Sequence, residues 1–195
     1  MIGSGRLLAV VPARENSKGL PGKNIRPLAG LPLIAHSILL AKMCPEIDRC
    51  IVSTDSDEIA ETSKRYGGDV PFKRPADLAR SETSMWSVIR HALETMEEKE
   101  GKRYDFVALL DPTSPTRLPE DVREACRRLE ERPDADGIVS ISKPHYSPIW
   151  HTVVERAGWM VDFVPDAGRL ERRQDVQDVF QINGLLYIWK AEFIR

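Results

Sequence analysis

LLAVVPARENSKGLPGKN, residues 7–24, passes without a break from apolar to cationic. Leu7 to Pro12 read as a buried strand, because a short apolar run bounded by turn formers fits a strand covered on both faces. Arg14, Lys18 and Lys23 then fall within ten residues, separated by Gly19, Pro21 and Gly22. Glycine lets a backbone approach a ligand closely and offers its N–H groups. Arginine grips phosphate oxygens with a planar fork, and lysine does so as a point charge. Three cations on such a loop suit a triphosphate. The plain alternative is a solvated basic loop.

Two familiar phosphate loops are excluded. A P-loop needs G-x-x-x-x-G-K-[ST], but here Ser17 stands at the first glycine position and Asn24 replaces the metal-binding hydroxyl after Gly22-Lys23. The early GSGRLL lacks the third glycine of a dinucleotide fingerprint and precedes its strand instead of following it.

Outward from this stretch, strand-like and helix-like segments alternate. Helical periodicity covers PLIAHSILLAKM (32–43), with Ile34, Ile38 and Leu39 near one face, and SDEIAETSKRYGG (56–68), which ends at Gly67. It recurs in SETSMWSVIRHALETMEEKE (81–100), with Val88, Ala92 and Met96 inward, and in PEDVREACRRLEE (119–131), which opens on proline and two acids. Strands are expected at RCIVSTD (49–55), DVPFKRP (69–75), YDFVALLDP (104–112), DGIVSIS (136–142) and INGLLYIW (182–189). This order predicts an α/β fold with a mostly parallel sheet, helices on both faces, and ligands at the strands' carboxyl ends. Residues 143–180 break the pattern. Strand pieces are expected near 149–154 and 159–163, as an excursion from a single domain spanning 1–195.

The 195 residues are 42% hydrophobic, enough for one substantial core. A net charge of −2 offers no global field for nucleic acid. No apolar run approaches the roughly 18 residues of a membrane span. Cys44, Cys50 and Cys126 are odd in number and lack metal spacing, which fits a reduced, cytoplasmic protein. The four histidines show no zinc spacing either.

Five segments together resemble the cytidylyltransferases that activate sialic and related nonulosonic acids: PARENSKGLPGKNI (12–25), IVSTDSDEIA (51–60), KRPADLARSETS (73–84), LLDPTSPTR (109–117) and FQINGLLYI (180–188). The resemblance implies a Rossmann-like α/β/α nucleotidyltransferase that joins CTP to a 2-keto-3-deoxy sugar acid and releases pyrophosphate. It implies that Arg14, Lys18 and Lys23 hold the triphosphate, with Lys23 stabilising the charge that grows in transfer. Ser17 and glycine amides such as Gly19 would add hydrogen bonds, and Asn24 would reach the nucleoside. Arg74 and Thr83 would face the cytosine or ribose; for Arg74 the alternative is a surface cation before a proline turn. Arg173, Gln181, Asn183 and Tyr187 stand at sugar-binding positions, although the family has arginine where Gln181 is. Arg173 is the candidate for the sugar's carboxylate, with Arg169 and Arg172 as competitors.

Asp111 stands where the family has glutamine. An acid at a strand's carboxyl end can bind Mg²⁺ or a sugar hydroxyl, or it can cap the Pro112-Thr113-Ser114 turn. The family continues into an acidic segment whose aspartates bind Mg²⁺. The resemblance therefore implies either such a segment beyond Arg195 or an Asp111 that supplies the metal contact alone. It also implies a homodimer, with residues 143–180 as a dimerisation and sugar-binding arm that buries Trp150, Trp159 and Phe163. Two other readings stay open: activation of a different sugar such as 3-deoxy-manno-octulosonate, and a non-catalytic nucleotide-binding module.

Overall fold

The computed structural model describes residues 2–15, 19–165 and 177–195, which divide into two compact units, Met1–Val139 with Gly184–Arg195, and Ser140–Asn183. In the first unit, β1 (Leu7–Pro12) runs into the glycine-lysine loop and a 3-10 turn at Lys23–Ile25. A short hairpin follows, β2 (Pro27–Leu28) and β3 (Leu31–Pro32), then α1 (Leu33–Met43), β4 (Arg49–Ser53) and α2 (Asp57–Arg65). A 3-10 turn at Ala76–Ala79 leads to α3 (Met85–Glu100), β5 (Phe106–Leu109), α4 (Pro119–Glu131) and β6 (Gly137–Ser142).

The second unit holds α5 (Pro148–His151) and the hairpin β7 (Val153–Arg156) and β8 (Trp159–Asp162). The chain returns through β9 (Gln181–Lys190) and ends in α6 (Ala191–Ile194).

The main sheet has the order β4-β1-β5-β9-β6. β1 pairs in parallel with β4 and β5, and β9 runs antiparallel to β5. The mostly parallel α/β sheet expected above is present. Alternation along β1 explains its two-sided burial. Leu7, Ala9 and Val11 join one core with α1 and α4, and Leu8 and Val10 join the other with α3 and α6. On α3, Val88, Ala92 and Met96 are buried, joined by Ile89 and Leu93.

Helix ends follow local chemistry. Ser56 Oγ accepts from Ile59 N at the start of α2, and Gly67 closes that helix at φ 72°. Lys42 Nζ donates to Tyr66 O beside it, in the space a Cβ on residue 67 would need. Proline opens α4, and Asp121 Oδ2 accepts from Leu118 N at 2.8 Å.

Three expectations need correction. Residues 69–75 form no strand. They stay extended beside β4 through two isolated bridges, Ile51 with Asp69 and Thr54 with Lys73, because Pro71 and Pro75 lack the N–H a ladder needs. On α1, Leu39 is half-buried while Ser37 and Leu40 are buried, since this helix packs against β1, α2, α4 and the 3-10 turn of the loop. The strand piece expected at 149–154 starts only at Val153. Pro148 instead opens a helical turn in which His151 N donates to Ser147 O.

Candidate functional site

The site is built where β1 and β4 end. After β1 the main chain around Arg14 is fixed by three hydrogen bonds. Ala13 N donates to Ser53 O at 2.9 Å, Glu15 N donates to Asp55 Oδ1 at 3.0 Å, and Arg14 O accepts from Asn24 Nδ2 at 3.2 Å. Asn24 is buried and points back at the loop, so the structure places it as a brace for Arg14. Gly22 takes φ 64° to turn the chain into Lys23–Ile25, which puts Lys23 half-exposed at the start of the turn. Ser17 and Lys18 lie outside the described residues; Gly19 is exposed.

Arg14, Asp55, Lys73, Arg74 and Arg80 line one pocket of about 630 Å³, with Ala76, Ala79 and Ser81. Four cations against one carboxylate give it a net positive lining, which suits an anion. Arg74 is not the surface cation of the alternative reading. It is 5% exposed, its Nε donates to Ser53 Oγ at 3.0 Å, and Nη2 donates to Ser53 O. Burial pulls its pKa down to about 10, with Asp55 opposing that shift and Arg14 adding to it. Lys73 is paired with Asp57 at 2.8 Å, whereas Arg14 and Arg80 have no ion-pair partner among the described residues. The Thr83 hydroxyl donates to Asp77 O at 2.8 Å and closes the turn that carries Arg80.

Asp111 follows β5. Its Oδ1 accepts from Thr113 N at 3.0 Å and Thr113 Oγ1 at 2.8 Å, so it caps the turn. Arg117, 5% exposed, braces the same loop. It donates to Asp111 O at 2.7 Å, to Leu185 O and to Ser37 Oγ, while Ser114 Oγ donates to Gly184 O. Burial lowers the Arg117 pKa to about 10, against the pull of Asp111 and Asp121. Tyr187 pairs with Leu109 across β5 and β9 and stacks on Trp189, whose indole meets Trp86. Gln181 and Asn183 belong to the second unit, where Asn183 Oδ1 accepts from Ser140 Oγ at 2.6 Å. Arg173, with Arg169 and Arg172, lies outside the described residues.

No group of three or more His, Cys, Asp or Glu residues that could hold a metal ion occurs among the described residues. Mg²⁺ needs less, because one or two carboxylates with substrate phosphates and water suffice; the turn engages only Oδ1 of Asp111. No helix among the described residues is long and apolar enough to cross a membrane.

The structure thus brings Arg14 and Arg74 together and sets Lys23 on the same loop as Arg14. Sequence reasoning missed Asp55, Lys73 and Arg80. Asp55 had a signal, an acid two residues after a buried strand; Arg80 had none beyond its charge.

A family profile described as "Cytidylyltransferase" matches residues 8–187. The chain is 37% identical over 190 residues to the CMP-N,N'-diacetyllegionaminic acid synthase of Legionella pneumophila, covering 97% of this chain and 80% of that protein. It is 33% identical over 187 residues to the N-acylneuraminate cytidylyltransferase of Streptococcus agalactiae, covering 95% of this chain and 43% of the relative. Among solved structures, CMP:2-keto-3-deoxy-manno-octonic acid synthetase complexed with CTP shares the fold at TM-score 0.71 and 18% identity, covering 97% of this chain and 76% of that one.

Proposed function

The chain belongs to the cytidylyltransferase family, and from that membership we propose that it activates a nonulosonic acid with CTP. The products are the CMP-sugar and pyrophosphate. The observation that carries this reading is the four-cation pocket beside the glycine-lysine loop, at the carboxyl ends of β1 and β4. The substrate class rests on the SKGLPGKN loop and on the relatives that act on legionaminic and neuraminic acids.

The sugar's anomeric hydroxyl attacks the α-phosphorus, an O–P bond forms, and the bond to the β-phosphate oxygen breaks. Such transfer depends on positioning and charge neutralisation. Arg14 and Lys23 meet the phosphates, with Ser17, Lys18 and the Gly19 amide assigned from the resemblance. Arg74 and the Thr83 turn form the nucleoside side. Asp111 and Tyr187 are proposed contacts to the sugar acid; Arg173, Gln181 and Asn183 are proposed from the resemblance alone. Mg²⁺, held by Asp111 and the nucleotide's phosphates, would add positive charge at the triphosphate.

Pyrophosphate release tests the reading: each NTP with Mg²⁺ and a panel of nine-carbon keto-acids, with the octulosonate alongside. CTP-dependent release with a nine-carbon acid, abolished by chelating Mg²⁺, is expected. A signal with the octulosonate only, or with no keto-acid, would overturn the substrate class.

A homodimer is part of the proposal. Trp159, Met160 and Phe163 of the hairpin unit are 76%, 77% and 58% exposed, and a second copy would cover them. Light scattering at one chain mass would count against this. The three cysteines are free, and burial raises the Cys44 thiol to about 11, which suits inert thiols in a reducing cytoplasm.

A further inference from the structure

We propose that Asp55 is a positioning residue that holds Arg14 in its phosphate-binding geometry, an inference that rests on the nucleotide reading above. A carboxylate in an anion pocket repels the ligand, so its presence needs a compensating role. Among the described residues, Asp55 is the one acidic residue lining the pocket, beside Arg14, Lys73, Arg74 and Arg80. Its Oδ1 accepts from Glu15 N at 3.0 Å, across 40 residues of chain. The main chain of residues 13–15 is held on one side by Ser53 O and on another by Asn24. Asp55 supplies the third point, immediately after Arg14, and stops that residue from rotating away from the pocket. Its negative charge also favours the charged Arg74 guanidinium, which Arg14 disfavours before any phosphate arrives. Arg74 itself is anchored to Ser53, two residues before Asp55, so the end of β4 and the two residues that follow it fix both arginines.

The arrangement separates two variants. Asp55→Asn keeps an oxygen that accepts from Glu15 N and removes the repulsion toward phosphate. Asp55→Ala loses the hydrogen bond and the charge. In calorimetric titration of the full chain with CTP, Asp55→Ala should weaken binding by about tenfold or more, the scale of one lost charge-assisted bond. Asp55→Asn should match the wild type or exceed it. In an Arg14→Ala background, Asp55→Ala should add less than about twofold, because its effect passes through Arg14.

Wild-type CTP binding with an unaffected Asp55→Ala variant overturns the inference alone. So does an Asp55→Asn variant as weak as Asp55→Ala, or a full loss that persists without Arg14. Wild-type protein that binds no CTP sinks the nucleotide reading and this inference with it. A melting curve on each variant separates lost binding from lost fold.

Discussion

Arg117→Met should lower the unfolding free energy by about 3–5 kcal/mol while leaving the surface unchanged. The guanidinium is buried and reaches three acceptors from three elements: Leu185 O on β9, Asp111 O after β5 and Ser37 Oγ on α1. Methionine fills much of the volume but donates nothing, so two buried carbonyls lose a donor at about 1–3 kcal/mol each. The loop from Asp111 to Arg117 has few other ties, mainly the Ser114 bond to Gly184 O and its own turn. Urea unfolding is the measurement. A lower midpoint at an unchanged slope is expected, since the amount of buried surface hardly alters. A loss under about 1 kcal/mol would show that the loop holds without its arginine.

How much of this was readable beforehand depends on the distance over which each feature is determined. β1, β4 and β5 were readable because strands covered on both faces must be apolar throughout, and a run such as Leu7 to Val11 has no other home in a folded chain of this size. Segment 69–75 misled because its apolar and β-branched residues look like a strand, while the missing N–H groups of Pro71 and Pro75 decide how far pairing can go. The antiparallel direction of β9 had no local signal, since an apolar run is the same read either way. In the site, Arg14 and Lys23 were visible because a glycine-rich loop after a strand is a local pattern. Asp55 and Arg80 meet Arg14 only through the tertiary fold, with 41 and 66 residues of separation in number. Burial of Arg74 was also invisible, because the acceptors that make it tolerable belong to Ser53, at the end of β4 and 21 residues earlier in the chain. The inward turn of Asn24 is the same kind of case: its residue type suits a ligand contact and a loop brace equally well.

Lys23→Ala separates function from fold most sharply. Its ammonium group has no hydrogen bond or ion pair among the described residues, and its side chain is half-exposed at the start of a 3-10 turn. The turn itself is held by main-chain bonds from Lys23 N to Leu20 O and from Ile25 N to Gly22 O, which alanine preserves. Loss of the side chain should therefore move stability by less than about 0.5 kcal/mol. Turnover should suffer far more. A cation aimed at charge that grows during phosphoryl transfer contributes about 100- to 1000-fold in kcat when it is a single preorganised donor. Because that charge develops in the transition state, kcat should fall more than the KM for CTP rises. Steady-state pyrophosphate release and a melting curve on the same preparation check both halves. A variant that loses its melting transition, or that turns over at the wild-type rate, would remove Lys23 from the phosphate site and leave Arg14 to carry it.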